Sequence, residues 1–112
     1  MQVNNARIIN VTVGLDDRDN LSARMTFEFQ HGCCDWGFGL TDPIDSQRLV
    51  KLMNYTGVYD VEKLNNKIVR VVNYERFFRG FGDPIEDKFV PAFGEEFKEV
   101  TETQFEEMLK NK

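Results

Sequence analysis

The chain has 112 residues, of which 41% are hydrophobic, 12% aromatic and 29% charged. That is one domain with enough apolar mass for a core, which excludes wholesale disorder and a pair of ordinary domains. Lys and Arg number 14 against 19 Asp and Glu, and the resulting charge of −5 speaks against a surface that grips phosphate along its whole extent.

The start, Met1-Gln2-Val3-Asn4-Asn5-Ala6, has neither the basic residues nor the apolar stretch of a secretory leader. Residues 7–13 are rich in β-branched side chains and predict a strand, followed by an Asp-rich turn from Gly14 to Asn20. Over residues 21–29 the pattern alternates, with Leu21, Ala23, Met25, Phe27 and Phe29 on one face, which predicts a half-buried strand pairing with the first. A third short strand is expected through Trp36, Phe38 and Leu40. Gly37 and Gly39 within it either let the strand cross tightly under a helix or leave room for a ligand or a partner backbone.

Asp42 and Pro43 start a helix carrying Leu49, Val50, Leu52 and Met53, and Gly57 stops it. One helical turn capped by Asp60 tucks Leu64 inward, and Lys67–Tyr74 predicts another strand. Arg76 to Asp83 reads as a glycine- and phenylalanine-rich connection, and Asp87–Phe93 as a last strand that Pro91 cuts short. Thr101 and Gln104 form a capping box for a final helix with Phe105, Met108 and Leu109 inward. No run approaches the ~20 apolar residues that span a bilayer. The sum is one compact α+β domain over residues 1–112, with a mostly antiparallel sheet of about five strands and two helices.

Residues with chemistry are few. His31-Gly32-Cys33-Cys34-Asp35 gathers the only soft ligands, yet neighbouring cysteines rarely both face one metal, and no other His or Cys completes a set. The expectation is a hairpin turn with two free thiols in a reducing cytoplasm, and no metal or cofactor. With one histidine, no phosphate-binding glycine loop and no carboxylate dyad, catalytic residues are not expected. From Arg70 to Phe81, the residues Arg70, Tyr74, Arg76 and Arg79 interleave with Phe77, Phe78 and Phe81. Such mixtures hold single-stranded nucleic acid by stacking and phosphate contact, or else supply core and interface aromatics whose arginines pair nearby acids. Arg79-Gly80-Phe81-Gly82 matches half of an RNA-recognition signature, but Asp83-Pro84 breaks the strand that should continue it.

Charge is uneven. Residues 1–82 hold ten acids and ten bases, whereas residues 83–112 hold nine acids, Glu95, Glu96, Glu99, Glu102 and Glu106 among them, against four lysines. This surplus is either a solvated face or a surface that meets a basic partner.

The succession Ala6-Arg7-Ile8-Ile9-Asn10-Val11, Leu21-Ser22-Ala23, Gly37-Phe38-Gly39, Leu52 to Val58, Leu64 to Val71 and Ile85 to Val90 resembles small proteins of unknown function carried by bacteriophages and prophages. The resemblance covers residues 6–93 and implies an accessory product acting in the host cytoplasm. Proteins of that class without catalytic residues bind and block a host machine, as anti-CRISPR inhibitors do. The expected partner is therefore a host protein or nucleoprotein complex, met by Glu95, Glu96, Glu99, Glu102, Glu106, Phe77, Phe78 and Phe81. The second reading is binding of single-stranded nucleic acid or nucleotide through Arg70, Tyr74, Arg76 and Arg79, with generic DNA disfavoured by the net charge. A third is assembly, as a homodimer for example, through the phenylalanine-rich segment.

Overall fold

A computed structural model describes residues 1–111 of the chain. Six strands, β1 (Gln2–Leu15), β2 (Leu21–Phe29), β3 (Gly32–Gly39), β4 (Ile68–Tyr74), β5 (Phe77–Gly82) and β6 (Phe89–Pro91), form one antiparallel sheet in the order β3-β2-β1-β4-β5-β6. Two helices, α1 (Pro43–Thr56) and α2 (Glu102–Lys110), complete the α+β domain, with a short 3-10 turn at Val61–Leu64. The sheet has one strand more than expected, and β1 is longer than the β-branched run that announces it.

Local signals explain most of the element ends. The Asp16 carboxylate accepts from the N–H of Arg18 and of Asn20, each at 2.9 Å, and closes the β1–β2 turn. Asp42 caps α1 by accepting from Ile44 N at 2.8 Å and Asp45 N at 3.3 Å, and Gly57 ends it in the left-handed region at φ 72°. The Thr101 and Gln104 side chains satisfy each other's backbone N–H, as a capping box requires. Asp60 departs from expectation. Its side chain caps nothing and instead lies 3.6 Å from Lys63 Nζ.

The sheet is buried on two faces by different elements. Ala6, Ile8, Ala23, Met25, Phe27, Trp36, Phe38, Val69, Val71, Phe81 and Val90 meet Leu49 and Leu52 of α1 and Leu64 of the 3-10 turn. On this face Phe27 of β2 stacks on Phe78 of β5 with ring centroids 5.1 Å apart, although two strands separate them in the sheet. Trp36 of β3 comes within 5.5 Å of Phe81. The sheet therefore curls around this face until β3 approaches β5, leaving a seam between them. On the opposite face Val72 and Phe89 meet Phe105 and Leu109 of α2. Of the apolar residues that α1 carries, Leu49 and Leu52 are buried, whereas Val50 is 56% exposed.

Arg76–Asp83 is the main correction. Its residues Phe77–Gly82 are not a connection but the strand β5, reached from β4 through a turn at Glu75 and Arg76, both at positive φ (52° and 73°). That is the backbone of a two-residue hairpin turn whose twist suits the flanking strands.

Candidate functional site

The acidic segment surrounds α2. Glu95, Glu96, Glu102, Glu106 and Glu107 are all exposed, and none has an ion-pair partner among the described residues. Glu99 is different. Its Oε2 accepts from the Tyr55 hydroxyl at 2.5 Å and lies 3.5 Å from Lys51 Nζ, so it ties the segment to α1. Burial first, and Glu99 second, push the Tyr55 phenol well above its usual range. A pocket of about 290 Å3 opens between α2 and the segment after β6, with Pro91, Phe93 and Met108 beside Glu95, Glu96 and Lys98.

The phenylalanines expected at a partner surface separate. Phe77 is 65% exposed, but Phe81 is fully buried and Phe78 is turned inward onto Phe27 and Trp36. Phe81 cannot meet a partner, because a register shift between β4 and β5 leaves both Phe78 and Phe81 facing the core, where Phe81 lies between Trp36 and Tyr55. An assembly surface made of all three rings is likewise ruled out.

The arginines separate too. The Arg70 guanidinium lies 4.6 Å from the Phe89 ring, and its Nε donates to the Asp83 carbonyl at 2.7 Å while Nη2 donates to the Glu86 carbonyl. It closes the β5–β6 loop through backbone carbonyls rather than by pairing carboxylates. Tyr74 packs partly buried with the α2 cluster, and Arg76 sits exposed at the hairpin turn. Arg79 holds its guanidinium 5.8 Å from the Phe77 ring, and its buried Nε has no acceptor among the described residues. Of the four, Arg70 and Tyr74 are engaged within the fold, whereas Arg76 and Arg79 stand at and just after the β4–β5 turn.

The half-signature Arg79-Gly80-Phe81-Gly82 has a packing explanation. A Cβ on Gly80 would lie 2.3 Å from the Val90 carbonyl oxygen and 2.8 Å from the Phe105 ring, and one on Gly82 would lie 2.4 Å from Phe89. Both glycines clear the outer face of β5 so that Phe105 and Phe89 can seat.

The seam between β3 and β5 is an open groove of about 750 Å3. Asp35, Trp36 and Gly37 line one side, Phe77, Phe78 and Arg79 the other, and Asp42, Asp45 and Arg48 at the start of α1 complete it. Arg48 is only 4% exposed. It pairs Asp45 at 2.8 Å and donates to the carbonyls of Phe93 at 2.8 Å and Gly94 at 3.0 Å, clasping the segment after β6 onto α1. Sequence reasoning missed this groove, since its walls come from four separate elements.

No family model, no curated protein and no solved structure matches the chain.

The soft ligands are split by strand geometry. The hairpin turn is Gln30-His31, and both cysteines lie within β3 rather than in the turn. Successive strand residues face opposite ways, so Cys33 is exposed while Cys34 packs against the core. Among the described residues no three His, Cys, Asp or Glu side chains gather closely enough for a metal ion. Burial chiefly, with Cys33 and Asp35 adding to it, pushes the Cys34 thiol up to about 12. The folded state thus keeps a proton that the unfolded chain releases near pH 9. The Cys34 thiol therefore adds no pH dependence below pH 9 and lowers stability as pH rises from 9 towards 12, with Tyr55 acting in the same direction. Denaturant midpoints across this range check the sign, and Cys34→Val should flatten the slope. In native protein at pH 8 a maleimide should label Cys33 much faster than Cys34.

Proposed function

We propose that this chain is a non-catalytic binding protein whose acidic face occupies a basic surface on a macromolecular partner. It would thereby act as a phage-type accessory protein that blocks a host machine in the cytoplasm. The observation that carries this reading is the set Glu95, Glu96, Glu102, Glu106 and Glu107, exposed and without internal ion pairs among the described residues. The first 82 residues are neutral, so the field of the molecule is concentrated on one region. No helix among the described residues is long and apolar enough to cross a membrane, which is compatible with a diffusing partner. The nucleic-acid reading loses support, because Arg70 is engaged with backbone carbonyls and Gly80 and Gly82 serve packing.

Each exposed acid paired with a partner base contributes only ~0.2–1 kcal/mol, so the face acts mainly on the rate of encounter. Reversing Glu95, Glu96 and Glu106 to lysine should slow association with a co-purified host partner about 10- to 100-fold at low salt. The melting temperature should stay within ~2 °C, since no internal bond is removed. Glu99 is left alone because it holds Tyr55 and Lys51. Surface plasmon resonance across a salt series reads the effect. Unchanged association, or a partner captured only while nucleic acid is intact, would sink the reading.

A further inference from the structure

Among the described residues β3 pairs with β2 alone, so its other edge is open. Leu40 N donates to the Leu21 carbonyl at 3.0 Å, and the register runs from there through Phe38 with Ala23 and Trp36 with Met25. Antiparallel ladders bond at alternate residues, so Cys34, Trp36 and Phe38 spend their backbone groups on β2. The N–H and C=O of Cys33, Asp35 and Gly37 point away from the sheet, and Asp35 and Gly37 also line the seam groove. An edge strand blunted by neither lysine, proline nor bulge is a template for another strand.

Gly37 and Gly39 strengthen the case. Neither has positive φ, and a Cβ would meet nothing within 4 Å at Gly39 and only ordinary contacts at 3.9 Å at Gly37. Glycine weakens a strand, and here, unlike at Gly80 and Gly82, no neighbour among the described residues demands it. The remaining demand is the close approach of another backbone.

The far wall of the groove indicates what that backbone carries. The acids that line the groove on its other sides each have a bond within the fold: Asp42 caps α1, Asp45 holds Arg48, and on β3 itself Asp35 accepts from Thr26 Oγ1 at 2.7 Å. Arg79 has no ion pair among the described residues and its buried Nε lacks an acceptor, as does that of Arg48, itself 4% exposed. Phe77 stands exposed beside Arg79. We propose that the free edge of β3 receives an extended peptide segment of a partner protein, which adds a strand and delivers a carboxylate to Arg79. Backbone bonds to Cys33, Asp35 and Gly37 supply the register, and Phe77 covers an apolar side chain.

This edge works independently of the acidic face, so either can fail alone. The probe is a hexapeptide of alternating threonine and valine with a free C-terminal carboxylate, titrated to millimolar concentration into isotope-labelled full-length protein. The amides of Cys33, Asp35 and Gly37 should shift and gain protection from hydrogen exchange, while those of Cys34 and Trp36 should not change in protection. C-terminal amidation should weaken binding about tenfold, and Arg79→Gln should erase that difference. Alternate N-methylation of the peptide should abolish binding, a control that needs no protein variant. The triple reversal at Glu95, Glu96 and Glu106 should leave peptide binding unchanged. The proposal is overturned if those three amides are unmoved at millimolar peptide. It is equally overturned if they are already protected in a homodimer, or if an oligothymidylate displaces the peptide.

Discussion

Gly80→Ala should cost about 3 kcal/mol or more, or leave the chain unable to fold. The added methyl would sit 2.3 Å from the Val90 carbonyl oxygen and under 3 Å from the Phe105 ring, both of them fixed. Backbone cannot yield without breaking the β5–β6 ladder, in which Gly80 pairs with Pro91. Phe105 cannot yield without lifting α2 from the sheet, because it is fully buried between Phe89 and Phe93. Thermal unfolding should shift down by roughly 12 °C or more at ~4 °C per kcal/mol for a domain of this size. Gly39→Ala is the control: its Cβ meets nothing, and it should be neutral or slightly stabilising. A Gly80→Ala protein melting like the parent would mean that α2 does not seat on β5.

Arg48→Met should be the next most damaging change. Methionine fills much of the volume but leaves Asp45 without this ion-pair partner and removes the Arg48 hydrogen bonds to the carbonyls of Phe93 and Gly94. Removing one member of a buried ion pair typically costs ~3–5 kcal/mol, and Asp45 keeps enough solvent contact to place this case near the lower figure. Lysine should not rescue, since one ammonium cannot span the carboxylate and two carbonyls that the planar fork reaches together. Limited proteolysis adds a local readout, as cleavage should move to the segment around Phe93 and Gly94. Equal melting temperatures for parent and Arg48→Met would show the clasp to be idle.

Elements announced by local chemistry were legible in the sequence. The period-two run from Leu21 to Phe29, the Asp42-Pro43 start and Gly57 stop of α1, and the Thr101 capping box each depend on residues within a few positions of one another. Strand β5 was not, for two reasons. Its turn uses Glu75 and Arg76 at positive φ, where asparagine and glycine are the readable signs. Its glycines at 80 and 82 look like loop residues until Phe105 and Phe89, contributed by distant elements, are seen to need the space. The same cause hid the site. The acid surplus could be counted, but that Glu99 is occupied by Tyr55, that Phe81 is interior and that Arg70 closes a loop are all long-range facts.

Strand β1 also bears on how the chain reaches this structure. Its residues Gln2–Arg7 pair with β4 and its residues Arg7–Leu15 pair with β2, so the two ladders share little beyond Arg7. On one side lie β1, β2 and β3, on the other β4, β5 and β6, each a meander whose neighbours are joined by short connections. Hairpins of this kind close in microseconds, whereas matching Arg7 with Ile68 must first gather a long intervening loop. The two meanders are thus free to form early, and the search for the β1–β4 register sets the pace of folding. Until that ladder zips, the edges of both meanders are open to pairing with other molecules, which makes chain concentration the variable that governs the yield of refolding.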